Sequence, residues 1–376
     1  MTEHIRLNKL IKNEGVTSCI TLIIPLTQKM PGKAQNIVHF REISKQALAE
    51  SAKSNDPQAA HSAERLKEVI ATLDINQFHC DGIAILVGPQ HHEIIELNGP
   101  CKAKSQVGTI FALTDVIQGI QNQTRFWVLL VSKKYARLFL HESHQLTELV
   151  TPLEDSAGNS LQGFPLTIVQ PEDKVIQAVG SGNRGDSYFK AEIKHFFQLV
   201  DSELKKVLSQ KEKLPVIICG TPEYIELFKT TTHHSDVIAF DIPHDYSAHQ
   251  AMPAQLKPDI AKALSAYYLQ QEKEWLHVFE ESINKKHQAC GMMYVWETVS
   301  TGRVHTLLLE PDLPEVGKVD PENPAHLQIF SHKNDPSVNN ISDLLIYEAL
   351  RHDGHVHIVQ AGSLKSCKGV GAILRY

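Results

Sequence analysis

One segment of the sequence has residue types and spacing that could bind a phosphate. Residues 180–185 read Gly-Ser-Gly-Asn-Arg-Gly, which matches the GxGxxG pattern and precedes a helical pattern. The first amide groups of such a helix can hold an anion. A dinucleotide fold places this loop directly after a buried strand, whereas the preceding residues 173–180 are only half apolar. We therefore interpret the segment as a flexible glycine-rich loop, with nucleotide binding as the alternative.

The other reactive side chains form no recognisable catalytic pattern. The sequence has no HExxH, GxSxG or Walker A motif. Glu280 and Glu281 are adjacent on a predicted helix, where neighbouring side chains face apart. His355 and His357 alternate on a predicted strand, which favours a solvated polar face over a metal site. We predict no catalytic residue, no metal and no cofactor.

The six cysteines lack CxxC spacing, and several lie in apolar runs typical of buried strands. Reduced thiols in protein cores are therefore expected, with a disulfide or zinc site as the alternative.

Basic residues collect near the first predicted strand and the helices after it, with few acidic residues before Glu42. The formal net charge of −6 and the pI near 6.4 give no global attraction to nucleic acid, so an RNA contact requires such a local patch. Charged residues on a helical hairpin either simply face solvent or contact RNA, and the sequence leaves both interpretations open. The patch consists of Lys29, Lys33, Arg41, Lys45 and Lys53.

The elements that would position these residues suggest three domains. A chain of 376 residues is too long for one hydrophobic core, and its 42% hydrophobic content is typical of globular proteins. We expect domains at residues 1–122, 123–257 and 258–376, the last with a leading linker helix. The N-terminus has no signal-peptide core, and no apolar run reaches the length of a membrane span, so we expect a cytoplasmic protein that does not contact membranes.

Apolar periodicity predicts a strand, a helical hairpin and a strand pair in the first domain. Their ranges are 17–26, then 33–52 and 59–73 around a turn at 54–57, then 82–89 and 91–98.

The second domain is predicted to begin with a strand hairpin and to continue with alternating helix and strand, which is typical of an α/β layer. The ranges are 126–132 and 135–141, a loop at 152–185, a helix at 187–208, a strand at 214–222 with Thr221 capping a following helix, and a strand at 237–240.

The last region is predicted to be a compact α/β sandwich after a long helix. Its ranges are helix 258–286, helix 292–300, strand 304–310, a Pro-rich segment 311–324, helix 341–352, strand 355–359 and strand 370–374.

Three segments carry a resemblance to a known family. Residues 17–25, Thr-Ser-Cys-Ile-Thr-Leu-Ile-Ile-Pro, resemble the opening strand of eukaryotic and archaeal class 1 release factors. Residues 301–309 and the ending 369–376, Gly-Val-Gly-Ala-Ile-Leu-Arg-Tyr, resemble strands of bacterial members of the archaeo-eukaryotic release factor family. A helix start at 341–345 accompanies them.

The resemblance implies an α/β and α+β fold of three domains. These are an N-terminal α/β domain with a helical hairpin, an RNase H-like middle domain, and a C-terminal α/β sandwich like the kink-turn-binding ribosomal proteins. In the family the hairpin tip reads the stop codon through Asn-Ile-Lys-Ser. Only Lys53 and Ser54 of this sequence match that motif, so stop-codon reading is not implied.

In the family the middle domain carries Gly-Gly-Gln on a loop before a long helix. The equivalent loop is 180–185, which lacks that motif, so peptidyl-tRNA hydrolysis is not implied. Gly182, Asn183, Arg184 and Gly185 are instead candidates to touch rRNA or tRNA phosphate.

The leading hypothesis is therefore a non-hydrolytic binding protein of the ribosome or tRNA, which acts in translation rescue, stalling or hibernation and does not bind DNA. The alternatives are a hydrolase or nuclease that uses the middle domain, and a scaffold that binds a protein partner through the C-terminal domain. Family members engage a companion GTPase through that domain.

Overall fold

The computed structural model describes most of the chain, in two compact units. The described residues are 2–14, 18–28, 32–54, 56–122, 125–133, 135–143, 145–150, 164–167, 184–211, 213–245, 253–284, 287–311, 313–320, 322–323, 325–330 and 338–376. Unit 1 combines residues 1–123 with 271–376, and unit 2 comprises 124–270.

The helices of the described residues follow in chain order. They are α1 (Thr2–Glu14), α2 (Gly32–Ser51), α3 (Pro57–Thr72), α4 (Thr114–Gln121), α5 (Arg184–Gln210), α6 (Pro222–Thr231), α7 (Pro253–Asn284), α8 (Met292–Ser300) and α9 (Ile341–Arg351).

The strands are numbered in the same way. They are β1 (Cys19–Pro25), β2 (Gly82–Val87), β3 (His92–Leu97), β4 (Lys104–Gly108), β5 (Phe126–Val131), β6 (Tyr135–Glu142), β7 (Gln145–Glu148), β8 (Leu166–Thr167), β9 (Val216–Gly220), β10 (Ile238–Pro243), β11 (Gln288–Cys290), β12 (Val304–Leu309), β13 (Val316–Val319), β14 (Leu327–Phe330), β15 (Asn339–Asn340), β16 (His355–Ile358) and β17 (Val370–Leu374).

The first sheet of unit 1 has the order β3-β2-β1-β4, with all neighbours antiparallel. Strand β1 is apolar on both faces because both faces are covered. Ile20, Leu22 and Ile24 belong to the core that includes residues of α2 and α3. Cys19 and Ile23 point into a second core. The continuous apolar run of β1 thus follows from its central position.

That second core is shared by the two ends of the chain. It contains Leu7 and Ile11 of α1 together with Trp296, Leu307 and Leu345 from the last hundred residues. The sheet β11-β17-β12-β16 supplies the C-terminal part of this core, and the small sheet β14-β13-β15 adjoins it. Burial of this apolar surface is the main term that holds unit 1 together.

Helix α4 is attached to the C-terminal segment at both of its ends. At its start, Oδ1 of the buried Asp343 accepts hydrogen bonds from the Leu113 N–H (2.8 Å), the Thr114 N–H (2.9 Å) and the Thr114 hydroxyl (2.8 Å). At its end, the Gln121 side chain accepts from the Ile358 N–H (2.7 Å) and donates to the Ile358 carbonyl (3.3 Å). Helix N-termini leave several amides without intrahelical partners, and Asp343 satisfies them from a distant part of the chain.

Unit 2 is built on one mixed sheet with the order β10-β9-β5-β6-β7. Strands β5, β6 and β7 form an antiparallel meander, while β9 and β10 run parallel to β5. Helix α5 packs on one face through its periodic apolar residues, among them Phe197, Val200 and Leu204. Leu256, Ile260 and Leu264 of α7 belong to the core on the other face.

The predicted α/β and α+β fold class is confirmed, and most predicted elements are present within a few residues. The helical hairpin, the strand pair after it, the hairpin of β5 and β6, and the final helices and strands all occur. The division into three domains stays a prediction; the first and last predicted domains both contribute to unit 1. Most of the loop predicted at 152–185 lies outside the described residues.

Some expectations were wrong or missed an element. Thr221 precedes α6 as predicted, but its side chain makes no capping hydrogen bond. Helix α1 was not predicted, although Leu7, Leu10 and Ile11 have helical spacing and are buried. His357 is half-buried with its ring stacked on Trp275 at 3.6 Å, so it is not a fully solvated side chain.

Two of the six cysteines were also predicted wrongly. Cys290 and Cys367 form a disulfide, with Cα atoms 4.9 Å apart. They are separated by 77 residues, so only the tertiary fold brings them together. Cys19, Cys80 and Cys219 are buried free thiols, and Cys101 is half-buried. None of the described helices combines the length and hydrophobicity that a transbilayer segment needs.

Substitution of Asp343 tests the attachment of α4. Asp343→Ala leaves the Leu113 and Thr114 amides without their acceptor, and we expect it to lower the free energy of unfolding by roughly 2–5 kcal/mol in urea titrations. Asp343→Asn keeps an acceptor oxygen and should cost clearly less.

The pH dependence provides a second measurement on the same residue. Burial raises the pKa of Asp343, against the opposing effects of Lys104 and the Thr114 and Leu113 donors. The folded state therefore binds this proton more tightly than the unfolded state, and the contribution of Asp343 to stability decreases as the pH rises through its folded pKa. The stability of wild type relative to Asp343→Asn should fall as the pH rises from about 4. A pH-independent difference would contradict this assignment.

Candidate nucleic-acid interface

Helix α2 presents its candidate RNA-binding residues because its opposite face is anchored. Its buried residues Asn36, Phe40, Ser44, Ala47 and Ser51 recur at three- and four-residue spacing. Phe40 and Ala47 belong to the core beneath β1. The Asn36 side chain also pairs with the backbone N–H and carbonyl of Thr27, each at 3.0 Å, just after β1 ends. The start of the helix is thereby fixed beside the strand.

A second side of α2 is exposed and carries positive charge. Arg41 and Lys45 lie one turn apart and are exposed. With the exposed Ala34, Val38 and Ala49 they share one side by their helical spacing, and the exposed Glu42, three residues before Lys45, lies at the edge of that side. Lys33 is half-buried in the first turn, and Lys53 is exposed just after the last turn. We call Lys33, Arg41, Lys45 and Lys53 the hairpin cations.

The hairpin cations differ from other surface cations in their ion pairing. Within the described part of the chain, none of the four forms an ion pair. Several other surface cations do, such as Lys67 with Glu64 (3.2 Å) and Lys104 with Asp115 (2.9 Å). An unpaired guanidinium or ammonium group stays available for a phosphate, whose binding releases condensed counterions.

The hairpin tip is held by local hydrogen bonds. The buried Ser51 hydroxyl donates to the Ala59 carbonyl (2.9 Å), which joins the two helices. Asp56 caps α3 by accepting from the Gln58 N–H (3.0 Å), and Pro57 occupies the first helical position. Ser54 is exposed, and its hydroxyl accepts from the Asp56 N–H (3.2 Å). Lys53 and Ser54 are therefore presented on a defined turn.

The other predicted site residues are only partly described. Lys29, Gly182 and Asn183 lie outside the described residues. Arg184 and Gly185 are the first residues of α5, which confirms that a helix follows the glycine-rich loop. The structure describes only the backbone of these two residues. Of the predicted residues, the structure thus groups Lys33, Arg41, Lys53 and Ser54 on one hairpin.

Unit 2 contains a cleft that sequence reasoning did not identify. A cavity of about 480 Å³ lies where β5, β9 and β10 end, which is the usual ligand position in α/β sheets with parallel strands. Ser132, Thr221, Glu223, Tyr224 and Asp245 contribute polar groups to its wall. Burial, with Glu223 and Asp245 nearby, raises the pKa of Tyr224. The described residues contain no cluster of His, Cys, Asp and Glu that could hold a metal ion. The strand–helix–strand order of β9, α6 and β10 was the sequence signal for parallel strands, although it did not show that Ser132 and Asp245 share one cleft.

A family model matches just under half of the chain. Residues 125–303 match the bacterial archaeo-eukaryotic release factor family 3 (baeRF_family3). The predicted resemblance is thereby confirmed. No curated protein sequence matches the chain.

Solved structures of three proteins are similar at low identity. Pelota from Archaeoglobus fulgidus is 14% identical, with 78% of this chain and 79% of that chain covered and a TM-score of 0.39. An archaeal Pelota in a model of ribosome-bound Pelota and ABCE1 is 14% identical, with 77% and 73% covered and a TM-score of 0.41. Dom34 from S. cerevisiae, a translation termination-like factor that interacts with Hbs1, is 13% identical, with 77% and 74% covered and a TM-score of 0.39. At these TM-scores we draw no functional conclusion from the similarity.

Substitution of the cap residue tests the geometry of the hairpin tip. Asp56→Ala removes the acceptor for the Gln58 N–H and should destabilise α3 by about 1 kcal/mol, seen as faster amide hydrogen exchange in the first turn of α3. Asp56→Asn retains a capping oxygen and is the matched control. Equal exchange in the two variants would argue against this cap.

Proposed function

We propose, on the premise that the chain is release-factor-like, that it is a non-hydrolytic binding protein of the ribosome or of tRNA. Translation rescue, stalling or hibernation is the process in which such a protein would act. We place it in the cytoplasm, where ribosomes and tRNA are found, and we expect RNA and not DNA to be its nucleic-acid partner.

The observation that carries this proposal is the set of unpaired hairpin cations. A chain with a formal net charge of −6 can bind RNA only if its positive charge is segregated. The side of α2 with Arg41 and Lys45 supports such segregation, since the two cations have no ion-pair partner among the described residues and Glu42 at its edge is unpaired with either of them. Arg41 and Lys45 lie one turn of α2 apart. Two phosphates of one RNA strand at that spacing would each contact one cation.

The proposed partners follow from the release-factor-like character of the chain, and they agree with the descriptions of two similar structures, which by themselves carry no argument. One similar archaeal Pelota is part of a ribosome-bound complex with ABCE1, and Dom34 interacts with Hbs1. For this chain we propose the ribosome as the main partner, and a protein partner at the C-terminal segment of unit 1. The exposed Met293 and Tyr294 of α8 would supply apolar contact area for that protein partner.

The non-hydrolytic part of the proposal depends on the loop at residues 180–185. It reads Gly-Ser-Gly-Asn-Arg-Gly and offers Asn183 in place of a glutamine. A side chain one methylene shorter would position its amide differently toward an attacking water. We propose that Gly182, Asn183, Arg184 and Gly185 serve as an RNA contact.

The cleft of unit 2 favours one alternative function. Its position at the ends of parallel strands, with Glu223 and Asp245 on its wall, is compatible with a hydrolase or nuclease. A nuclease of the RNase H-like type needs carboxylates that hold Mg²⁺ together, and the described residues contain no such cluster. A pure protein-interaction scaffold is the other alternative.

Charge removal on α2 tests the RNA-binding proposal. Arg41→Gln with Lys45→Gln should weaken binding to ribosomes or tRNA by roughly 25- to 60-fold at about 0.1 M salt, because two phosphate contacts are lost. The slope of log affinity against log salt should become less negative by roughly 1.4 to 1.8. Filter binding and co-sedimentation with ribosomes over a salt series measure both quantities.

The matched control removes two exposed cations elsewhere in unit 1. Lys9→Gln with Lys102→Gln removes two exposed cations outside the hairpin, changes the net charge by the same amount and should leave affinity and slope nearly unchanged. Equal losses in the two double variants would point to general charge attraction. Absence of the wild-type protein from ribosomal fractions in growth and stress, together with no tRNA binding, would sink the proposal.

Incubation with substrates separates the proposal from its enzymatic alternative. We expect the purified protein to leave the ester of peptidyl-tRNA intact, both free and on ribosomes, and to leave model RNAs uncut with Mg²⁺ present. An active class 1 release factor provides the positive control. Peptide release or RNA cleavage above the protein-free rate, abolished by Glu223→Gln or Asp245→Asn, would favour the hydrolase or nuclease.

A further inference from the structure

The disulfide of unit 1 joins one accessible cysteine to one inaccessible cysteine. Cys290 ends β11 and is exposed, whereas Cys367 ends the short 3₁₀ helix Lys365–Cys367 and is only 3% exposed. A dissolved thiol can therefore reach the Cys290 residue from solvent, whereas Cys367 is shielded by the surrounding protein. Access decides which sulfur of a disulfide is attacked.

The four free cysteines are poorly suited to compete with this pair. Cys19, Cys80 and Cys219 are buried. Burial raises the pKa of Cys80 to about 12 and that of Cys101 to about 11, and it also raises the pKa of Cys219. The thiolate is the nucleophile, and these groups have little thiolate at neutral pH.

We propose that Cys290 is a modification site at which a small dissolved thiol of the glutathione class forms a mixed disulfide. The thiolate of the small molecule attacks Sγ of Cys290, the bond between Cys290 and Cys367 breaks, and Cys367 leaves as a thiolate that takes up the proton lost by the attacking thiol. Return of the Cys367 thiolate onto Sγ of Cys290 expels the small thiol and restores the internal bond. A second small thiol instead releases Cys290 and forms the small-molecule disulfide, so that two thiols are oxidised and the protein disulfide is reduced.

The surroundings show what this exchange would change. The segment of residues 360–369 is fastened by Glu272, which accepts from the Gln360 N–H (2.8 Å), and by Glu310, which accepts from the Leu364 N–H (2.6 Å). The disulfide is its covalent link to β11. Leu364 and Cys367 pack with Phe279 of α7 in a small separate core. Opening of the disulfide leaves this segment with its hydrogen bonds and that small core only.

The same exchange alters the surface at the start of α8. Gly291 follows Cys290 directly, and its N–H donates to the Val370 carbonyl (3.1 Å) before α8 begins. Met293 and Tyr294, 51% and 45% exposed, lie in the first turn of α8. A small thiol attached to Cys290 would therefore lie next to this apolar surface. The inference is independent of RNA binding by α2.

Equilibration of the full chain with mixtures of reduced and oxidised glutathione tests the proposal. After thiol blocking and proteolysis, mass spectrometry should find a glutathione adduct on Cys290 at intermediate ratios. The oxidised protein, unfolded in denaturant, should expose four reactive thiols and the reduced protein six. Amide exchange in residues 360–369 should be faster in the reduced protein.

Two single variants form a matched pair. In Cys367→Ser, Cys290 should react with oxidised glutathione; in Cys290→Ser, the buried Cys367 should react at least roughly tenfold more slowly. Amide exchange at β5 in unit 2 serves as an internal reference that should not change. Six reactive thiols in protein equilibrated with oxidised glutathione, or adducts on Cys367 or on the other cysteines at the rate of Cys290, would overturn the proposal.

Discussion

A single buried carboxylate fixes how the C-terminal segment is attached to the start of α4 within unit 1. Asp343 is 1% exposed, and the three donors at the start of α4 all meet its Oδ1 atom. Burial of a carboxylate costs free energy unless the group is hydrogen-bonded. Asp343 can therefore be buried only where donors such as the Leu113 and Thr114 amides surround it. Lys104 of β4 pairs with Asp115 of α4 at 2.9 Å, which extends the attachment to the first sheet. The helical hairpin is anchored to that sheet.

This anchoring has a consequence for the candidate interface. Helix α2 packs on β1 through Phe40 and Ala47, and Ser51 joins it to α3, so its exposed side is presented by a rigid support. Many charges elsewhere on the described surface are paired, as Lys12 is with Asp353 and Lys229 with Asp241. The hairpin cations lack such partners among the described residues. A positive surface can thus exist on a protein whose net charge is negative, because attraction to phosphate acts mostly within a Debye length.

Much of the fold was predictable because local patterns repeat over many residues. The apolar positions of α5 recur at helical spacing from Ile193 to Leu204, and β1 is a continuous apolar run, so both were located from the sequence. The interface could be predicted only as a list of basic residues. Whether Arg41 and Lys45 form ion pairs depends on which acidic side chains lie near them in the folded protein. The distances between these charges cannot be read from the spacing of residues along the chain. The cleft of unit 2 was missed because its wall joins residues from 130 to 245.

The sequence by itself determined most of the helices and strands, though not α1, β4 or α4, together with the α/β and α+β class, the resemblance to release factors and the make-up of the loop at residues 180–185. These properties depend on residue type and on separations of a few positions, where propensity and amphipathic period act. The tertiary structure decided the shared core of the two chain ends, the role of Asp343, the exposure of Cys290 beside its buried partner, and the unpaired state of the hairpin cations. Each of these joins residues far apart in sequence, so each depends on packing and charge proximity, which exist only once the chain has folded.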